Sequence, residues 1–499
     1  LAHSVVDLDS LQPLRYRLID CIAFIQEQTL SIVASKEFPH VNYCAISYVW
    51  RGNPIDPNDA EIDIAGTFAV KGSQLDSDPI SIEVLRHACI ASVQHGADYL
   101  WLDRVCIIQT SREDKTWQIK SGLPDVQPCP RCIYVPHGVS MLSPPANPLG
   151  GGSHLEERDI ACSLCRCRTS AYTVVPQLTA LCHVEVLVAA CAVGQLKVPR
   201  GSGSSSDGDF DTYDAAILGR QSPSLEALGI AMSGFIAVSD PDAKDHAMWQ
   251  CALMRTSSRP VDMVLSIMGL FGVSLDPSAF RSDDRLAATM ALAQEILRMG
   301  KRASWVGISF KAPPCRQLST FPEFPQTSVS GSAYVQTDTG RCLVARLVDV
   351  GYPVQVQMNG ESLPRGVMDD EGYMHFSCKA APVRQVLPID KTALVFPSAA
   401  SHEHMLMTAA DKTMWQVVDT DEDTSDPRVF AILLGWFQKY APAEVLPAWH
   451  PSNIQNIRLL LVKEHAPGRF YVITGSSVDY TATSRVLAWA VRNFSVGGP

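Results

Sequence analysis

A chain of 499 residues with 46% apolar content can bury a large core, and at roughly 150 residues per domain it divides into about three. Its formal net charge is -11 and it has no long Lys/Arg cluster, which excludes the electrostatic footprint that phosphate-backbone binding requires, so nucleic acid is not an expected partner. The 15 cysteines include several set in apolar runs (Cys21, Cys44, Cys89, Cys342), where a thiol serves as a small hydrophobe; this pattern implies a reducing, cytoplasmic location.

The opening "LAHSVVDLDS" has neither the basic region nor the apolar core of a secretory signal, and it begins without Met, as a trimmed or fragmentary chain would. "YCAISYVW", from Tyr43 to Trp50, is a short continuous apolar run and reads as a buried strand. Ile62 and Ile64 alternate around Gly66 like a hairpin. In "SIEVLRHACIASVQHG", Ile82, Leu85, Cys89 and Val93 fall at helical spacing, Ser81 can cap the first turn and Gly96 can take the left-handed position after the last. "ADYLWLDRVCII" follows as a second buried strand. Strand, helix and strand in this order predict a parallel sheet whose carboxyl ends, near Trp50 and Asp103, face a crevice.

From Ser121 to Arg200 proline, glycine and cysteine replace clear periodicity, and no element is assigned. The longest apolar stretch, Val184 to Val193, is interrupted by Glu185 and falls short of the ~20 residues of a spanning helix, so no membrane span is expected. "GSGSSSDGDFDTYD", residues 201–214, reads as a linker or exposed loop.

"DAKDHAMWQCALMR" and "PVDMVLSIMGLFG" predict two helices, the second with Pro260 at its first position and Gly269 or Gly272 at its end. "DDRLAATMALAQEILRMG" is a third, with Leu286, Met290, Ala293 and Leu297 on its apolar face, Asp283 and Asp284 at its start and Gly300 as its stop. After about Pro313 the texture turns to β. Two strand-like runs flank Asp338-Thr339-Gly340, and two more flank Pro467-Gly468.

Among residues able to do chemistry, Cys129 and Cys132 with Cys162 and Cys165 form two CxxC knuckles whose four thiolates could close a tetrahedral zinc site. The 29-residue gap between them is long for such a site, and the apolar "CIYVP" suggests that Cys132 begins a buried strand. "DGDFDTYD" has Thr212 where a calcium loop needs glycine and Leu218 where it needs glutamate. His402 and His404 lack the helical spacing of a zinc protease and read as a polar surface turn. No nucleophile elbow, phosphate loop or dinucleotide fingerprint is present.

The two buried strands carry a pair of motifs, "YCAISYVW" and "YLWLDRVCIIQTSREDKTWQI", about fifty residues apart. Together they resemble the fungal heterokaryon incompatibility (HET) domain through Ser47, Tyr48, Trp50 and Gly52, then Trp101, Asp103, Cys106, Ile107, Gln109, Asp114, Lys115, Gln118 and Ile119. "RTSSRPVDMVLSIMGLFGV" is similar to a later segment of that family, with Arg259 and Asp262 as its polar members, and the texture is closest to HET proteins of mushroom-forming fungi. The family's third signature, R-A-W-T-x-Q-E, has no counterpart. "HLEERDIACSLCRCRTSAYTVV" stands in its place, with Glu156 and Glu157 but no tryptophan.

The resemblance implies an α/β HET domain over residues 1–200 with a divergent 121–200, comparable with flavodoxin-like Toll/interleukin-receptor (TIR) domains. The linker 201–214 would follow, then a helical segment over 215–312 and a β-rich C-terminal domain over 313–499. It further implies non-self recognition and programmed cell death through association with other proteins, whether a receptor or a second copy. By the TIR analogy the rival is an NAD hydrolase, with NAD as substrate and Glu156 or Glu157 as the acid; a zinc-stabilised interaction module is a third reading. The motif residues themselves admit two roles. Tyr48, Trp50, Trp101 and Cys106 can fill the space between sheet and helices while Ser47 and Asp103 bond loop backbone, or Asp103 and Gln109 can orient a nicotinamide or adenine ring against an aromatic wall.

Overall fold

The computed structural model describes residues 1–47, 66–72, 80–121, 131–134, 171–175, 178–183, 195–199, 210–214, 241–253, 257, 259–312, 333–337, 340–349, 352–354, 363–386, 405–418, 428–438 and 455–497. The expected hairpin around Ile62 and Ile64, residues 201–209 of the Gly/Ser/Asp run and the turn at His402 and His404 lie outside the described residues.

The N-terminal part begins with strands that its sequence does not announce: β1 (Val5–Val6), β2 (Tyr16–Asp20) and β3 (Ile32–Ser35). Then come β4 (Tyr43–Ser47), β5 (Thr67–Val70), β6 (Ile80–Ser81), helix α1 (Ile82–Gln94) and β7 (Tyr99–Trp101). Gly96 follows α1 with φ 76°, the left-handed stop that glycine adopts without a Cβ clash. Two short helices, α2 (Asp103–Cys106) and α3 (Arg112–Ser121), precede β8 (Arg131–Tyr134), β9 (Ala171–Val175) and β10 (Leu178–His183).

Seven of these strands form one sheet in the order β10-β9-β8-β4-β7-β2-β3. The four central strands are mutually parallel, as the strand, helix, strand pattern predicts. The flanks are not: β10, β2 and β3 are each antiparallel to their inner neighbour. That mixed edge corrects the simple parallel expectation. For β10 and β3 the physical reason is connection length, since β9 to β10 and β2 to β3 are joined by segments too short for the crossover that parallel pairing needs. Ile19, Cys44, Ile46, Leu85, Cys89, Leu100 and Leu102 are among the residues of the core beneath α1. The thiols of Cys21, Cys44 and Cys89 are buried there, and Cys342 is partly buried elsewhere; none of the four forms a disulfide.

Strands β11 (Gln195–Pro199) and β12 (Phe210–Asp214) form a separate antiparallel pair, so residues 210–214 of the polar run are a strand. Helices α4 (Pro241–Leu253), α5 (Asp262–Leu265) and α6 (Arg285–Arg298) follow. The helix expected through Gly269 stops at Leu265 and continues as a 3-10 turn, Met268–Phe271, which Gly272 ends at φ 73°. On α6 the buried face is centred on Ala288, Leu292, Ala293 and Ile296, while the expected Leu286 and Met290 are only partly buried. Met290 is turned toward a strand turn at Gly372, its methyl 3.3 Å from where a Cβ there would lie, which is why the helix is covered on two sides.

The C-terminal strands used below are β13 (Ser309–Phe310), β14 (Tyr334–Thr337), β15 (Gly340–Leu343), β16 (Val348–Asp349), β17 (Tyr352–Val354), β18 (Val367–Met368) and β19 (Tyr373–Val386). They continue as β20 (Leu406–Ala409), β21 (Met414–Val417), β22 (Val429–Gln438), β23 (Gln455–Ala466), β24 (Arg469–Asp479) and β25 (Val491–Gly497). Both expected hairpins form, β14 with β15 and β23 with β24, the second turning at Gly468 with φ 73°. Pairing runs β22-β23-β24-β20-β21-β19 and returns from β19 to β22, so these six strands close on themselves, with β17 added beside β22 and β18 beside β19.

Successive residues of β22 face opposite sides. Phe430, Ile432 and Leu434 join the cluster that contains the helices, whereas Ala431 and Leu433 join a second cluster with Trp415, Ile457 and Leu459. Burial on both faces accounts for the unbroken apolar run of that strand. In the helical cluster, Trp249 is fully buried with its ring 5.3 Å from Phe271 and 5.5 Å from Trp305.

A Cβ at Gly366 would lie 2.3 Å from the His375 carbonyl oxygen, a backbone atom that cannot rotate away. Gly366→Ala is therefore expected to destabilise the chain by about 1–3 kcal/mol in urea unfolding, and an unchanged midpoint would contradict that close approach. Among the described residues no helix is long and apolar enough to cross a membrane.

Candidate functional site at the rim of the parallel sheet

β4 lies between β7 and β8 and runs parallel to both, so the carboxyl ends of all three strands share one rim. Ala45 is level with Trp101 on one side and Cys132 on the other, and Ser47 is level with Tyr134. The two sequence motifs therefore sit side by side. Tyr48 and Trp50 lie outside the described residues, as do Glu156, Glu157, Cys129, Cys162 and Cys165. Cys132 is the second residue of the central strand β8, consistent with the strand expected there. Among the described residues no group of three or more His, Cys, Asp or Glu side chains could hold a metal ion.

The chain leaves β7 at Trp101, which is half-buried against the core, and turns directly into α2 at Asp103. The Asp103 carboxylate accepts the Arg104 backbone N–H at 2.8 Å, and its backbone carbonyl accepts the Gln109 side-chain amide at 2.9 Å. Gln109 is buried, so this donor is used to fasten the rim loop. Ile107 ends α2 in extended backbone, half-buried.

Cys106 is wholly buried, with its sulfur accepting the Leu102 N–H at 3.4 Å. Burial pushes its thiol up to about 12. At pH 8 such a thiol is thiolate only to about one part in ten thousand. Iodoacetamide is expected to leave Cys106 unmodified in the folded chain and to alkylate it after denaturation, as read by peptide mass mapping. Rapid native labelling would contradict the packing.

Asp114 and Gln118, one helical turn apart on α3, do something the sequence did not disclose. Asp114 is completely buried and forms a two-point pair with the equally buried Arg17 of β2, at 2.9 and 3.1 Å. Its two oxygens also accept the Leu14 N–H at 2.7 Å and the Ile108 N–H at 2.9 Å. Arg17 further donates to the carbonyls of Cys106 at 3.1 Å and Gln12 at 2.5 Å. Gln118 donates to the Arg15 carbonyl at 2.6 Å, and Ser111 caps α3 by accepting the Asp114 N–H at 3.1 Å. The motif helix thus clamps residues 12–17. Leu14 is held there at φ 56°, a left-handed conformation unusual for leucine.

A row of aromatic rings runs beside this helix. Trp117 of α3 packs on Tyr16 at 4.8 Å, Tyr16 on Phe38 at 5.3 Å, and Phe38 on Tyr43 at 6.2 Å. Neither Arg17 nor this row was singled out from sequence. The readable signal was an arginine within the apolar strand run "YRLID".

Lys115, next to Asp114 but half-buried, comes close to the two polar residues of the later segment. Burial and then the Arg259 charge hold its ammonium below the usual lysine range, while Asp262 opposes them. Arg259 and Asp262 face each other at 3.8 Å at the start of α5, and both are exposed. An exposed pair of this kind contributes little to stability, about 0–1 kcal/mol.

A shared rim of parallel strands, each motif at a strand end and a buried ion pair beneath them, defines an α/β domain of signature-bearing type. Residues 43–122 match the family model described as Heterokaryon incompatibility protein (HET), a span that holds β4, β7, α2 and α3. This segment of the chain is similar to that family's domain. No curated protein and no solved structure matches the chain.

Proposed function

We propose that this chain acts in fungal non-self recognition, triggering or modulating programmed cell death from the cytoplasm through association with other proteins. The observation that carries this reading is a division of labour among the motif residues. Asp114, Gln118, Gln109 and Cys106 direct their polar groups inward, to backbone and to Arg17. Lys115, Arg259 and Asp262 instead form a charged group at or near the surface, joining the HET segment to the start of α5. Alternating charges on an accessible surface give a partner orientation and specificity more than raw affinity. The four parallel strands linked through α1 support the comparison with flavodoxin-like TIR domains, a likeness of fold and not of activity.

Expression in a fungal host should reduce viability while cellular NAD stays constant. A fall in NAD that accompanies toxicity, and that Glu156→Gln/Glu157→Gln prevents, would overturn the association reading in favour of an NAD hydrolase.

A further inference from the structure

We propose that Ser495, His375 and Asp369, on the C-terminal sheet and remote in sequence from the HET motifs, form a nucleophilic site for carboxylic esters. His375 and Ser495 are a cross-strand pair of β19 and β25, with imidazole Nδ1 2.8 Å from the serine Oγ. The other ring nitrogen, Nε2, lies 2.8 Å from an Asp369 carboxylate oxygen. The second Asp369 oxygen accepts the N–H groups of Glu371 at 3.0 Å and Tyr373 at 2.8 Å.

These contacts fix the protons. Burial raises the Asp369 carboxyl, but hydrogen bonds from Tyr373 N–H and His375 outweigh it and the net shift is downward. An ionised carboxylate only accepts, so in the neutral imidazole Nε2 carries the proton and Nδ1 is left to accept the Ser495 hydroxyl. Nucleophile, base and a third group orienting the base are the three parts of an activated serine, here with the two ring nitrogens in exchanged roles.

The frame is rigid. Asp369 opens the β18–β19 turn, which Gly372 completes at φ 84°, and its carbonyl accepts the Gln294 side-chain amide of α6 at 3.2 Å. Arg469 is level with Ser495 on the adjoining parallel strand β24; it is held over the Tyr373 ring at 4.5 Å and paired with Glu371 at 2.5 Å. Arg469 thus brings a positive charge to the strand next to that of the serine, neutralised by Glu371. His375 is 44% exposed and Asp369 33%, so the site is open to a small ester or an acyl group on a flexible chain.

In the reaction the Ser495 oxygen bonds to the ester carbonyl carbon as its proton moves to His375 Nδ1. The carbon to alcohol-oxygen bond breaks and the same proton leaves with the alcohol. Water, deprotonated by His375, then releases the carboxylic acid and restores the serine hydroxyl.

The test is incubation of the full chain with a biotinylated fluorophosphonate, peptide mapping, and turnover of p-nitrophenyl acetate. Ser495 should carry the label, and Ser495→Ala should lose both label and turnover. His375→Gln should be slower by about 100-fold or more. Ser377→Ala, an exposed serine on the same strand, should retain the full rate. Asp369 acts through the histidine: Asp369→Asn permits the opposite tautomer, so kcat should fall with KM unchanged. An unlabelled Ser495 in the folded wild-type chain, or an undiminished rate in Ser495→Ala, overturns the proposal.

Discussion

Asp114→Asn is expected to destabilise the α/β part by about 3–5 kcal/mol, measured as a shift in urea unfolding followed at Trp117. The substitution leaves the Arg17 guanidinium in an interior where both partners have no exposed side-chain surface. It also converts one acceptor oxygen into a donor facing the N–H groups or guanidinium that it formerly bound. Arg17→Met should lose a comparable amount, since it strands the carboxylate. The double variant Arg17→Met/Asp114→Leu should recover only part of the loss: removing both charges together removes their desolvation, but the Leu14 and Ile108 N–H groups lose their acceptor. Single variants that each change stability by less than about 1 kcal/mol would mean that water reaches the pair.

Trp249→Ala is expected to cost about 3–5 kcal/mol and to lower the unfolding temperature of the C-terminal part. Trp249 is fully buried between Phe271 and Trp305, in a cluster that joins α4 and α6 to the strands of the closed sheet. Truncation removes apolar contact with two aromatic rings and leaves a cavity that helices fixed on a sheet cannot collapse to fill. Trp249→Phe should recover part of the loss. Calorimetry of the full chain is the check, and a Trp249→Ala chain that melts within a degree of wild type would contradict the packing.

What the sequence discloses is local. β4 and β7 are visible as short apolar runs, α1 as an apolar stripe ended by Gly96, and the β23–β24 hairpin by its Pro467-Gly468 turn, because each signal lies within one element. β1 escapes notice because it is two residues long, and β2 because Arg17 interrupts its apolar pattern. Val344–Leu347, expected to continue a strand, makes a helical turn between β15 and β16; tertiary contact of Val344 and Leu347 with the large cluster overrides its propensity. Closure of the C-terminal sheet depends on β19 pairing with four other strands, which no local pattern encodes.

The site divides in the same way. Asp114 and Gln118 can be placed on one face of α3 from their spacing, but their partners stand 97 and 103 residues away. Their role as a clamp on residues 12–17 therefore becomes visible only in three dimensions. The juxtaposition of Lys115 with Arg259 and Asp262 is likewise a product of packing, with α3 lying against the 3-10 turn at Pro277–Ala279.

On the proposed reading, function and stability separate at that juxtaposition, since the inward motif residues hold the fold while the outward ones add little to it. The most direct measurement is viability of a fungal host expressing the Arg259→Glu chain, with folding checked by thermal melting of the same protein. The account predicts a melting temperature within about 2 °C of wild type and loss of toxicity. A folded Arg259→Glu chain that kills as wild type does would contradict it.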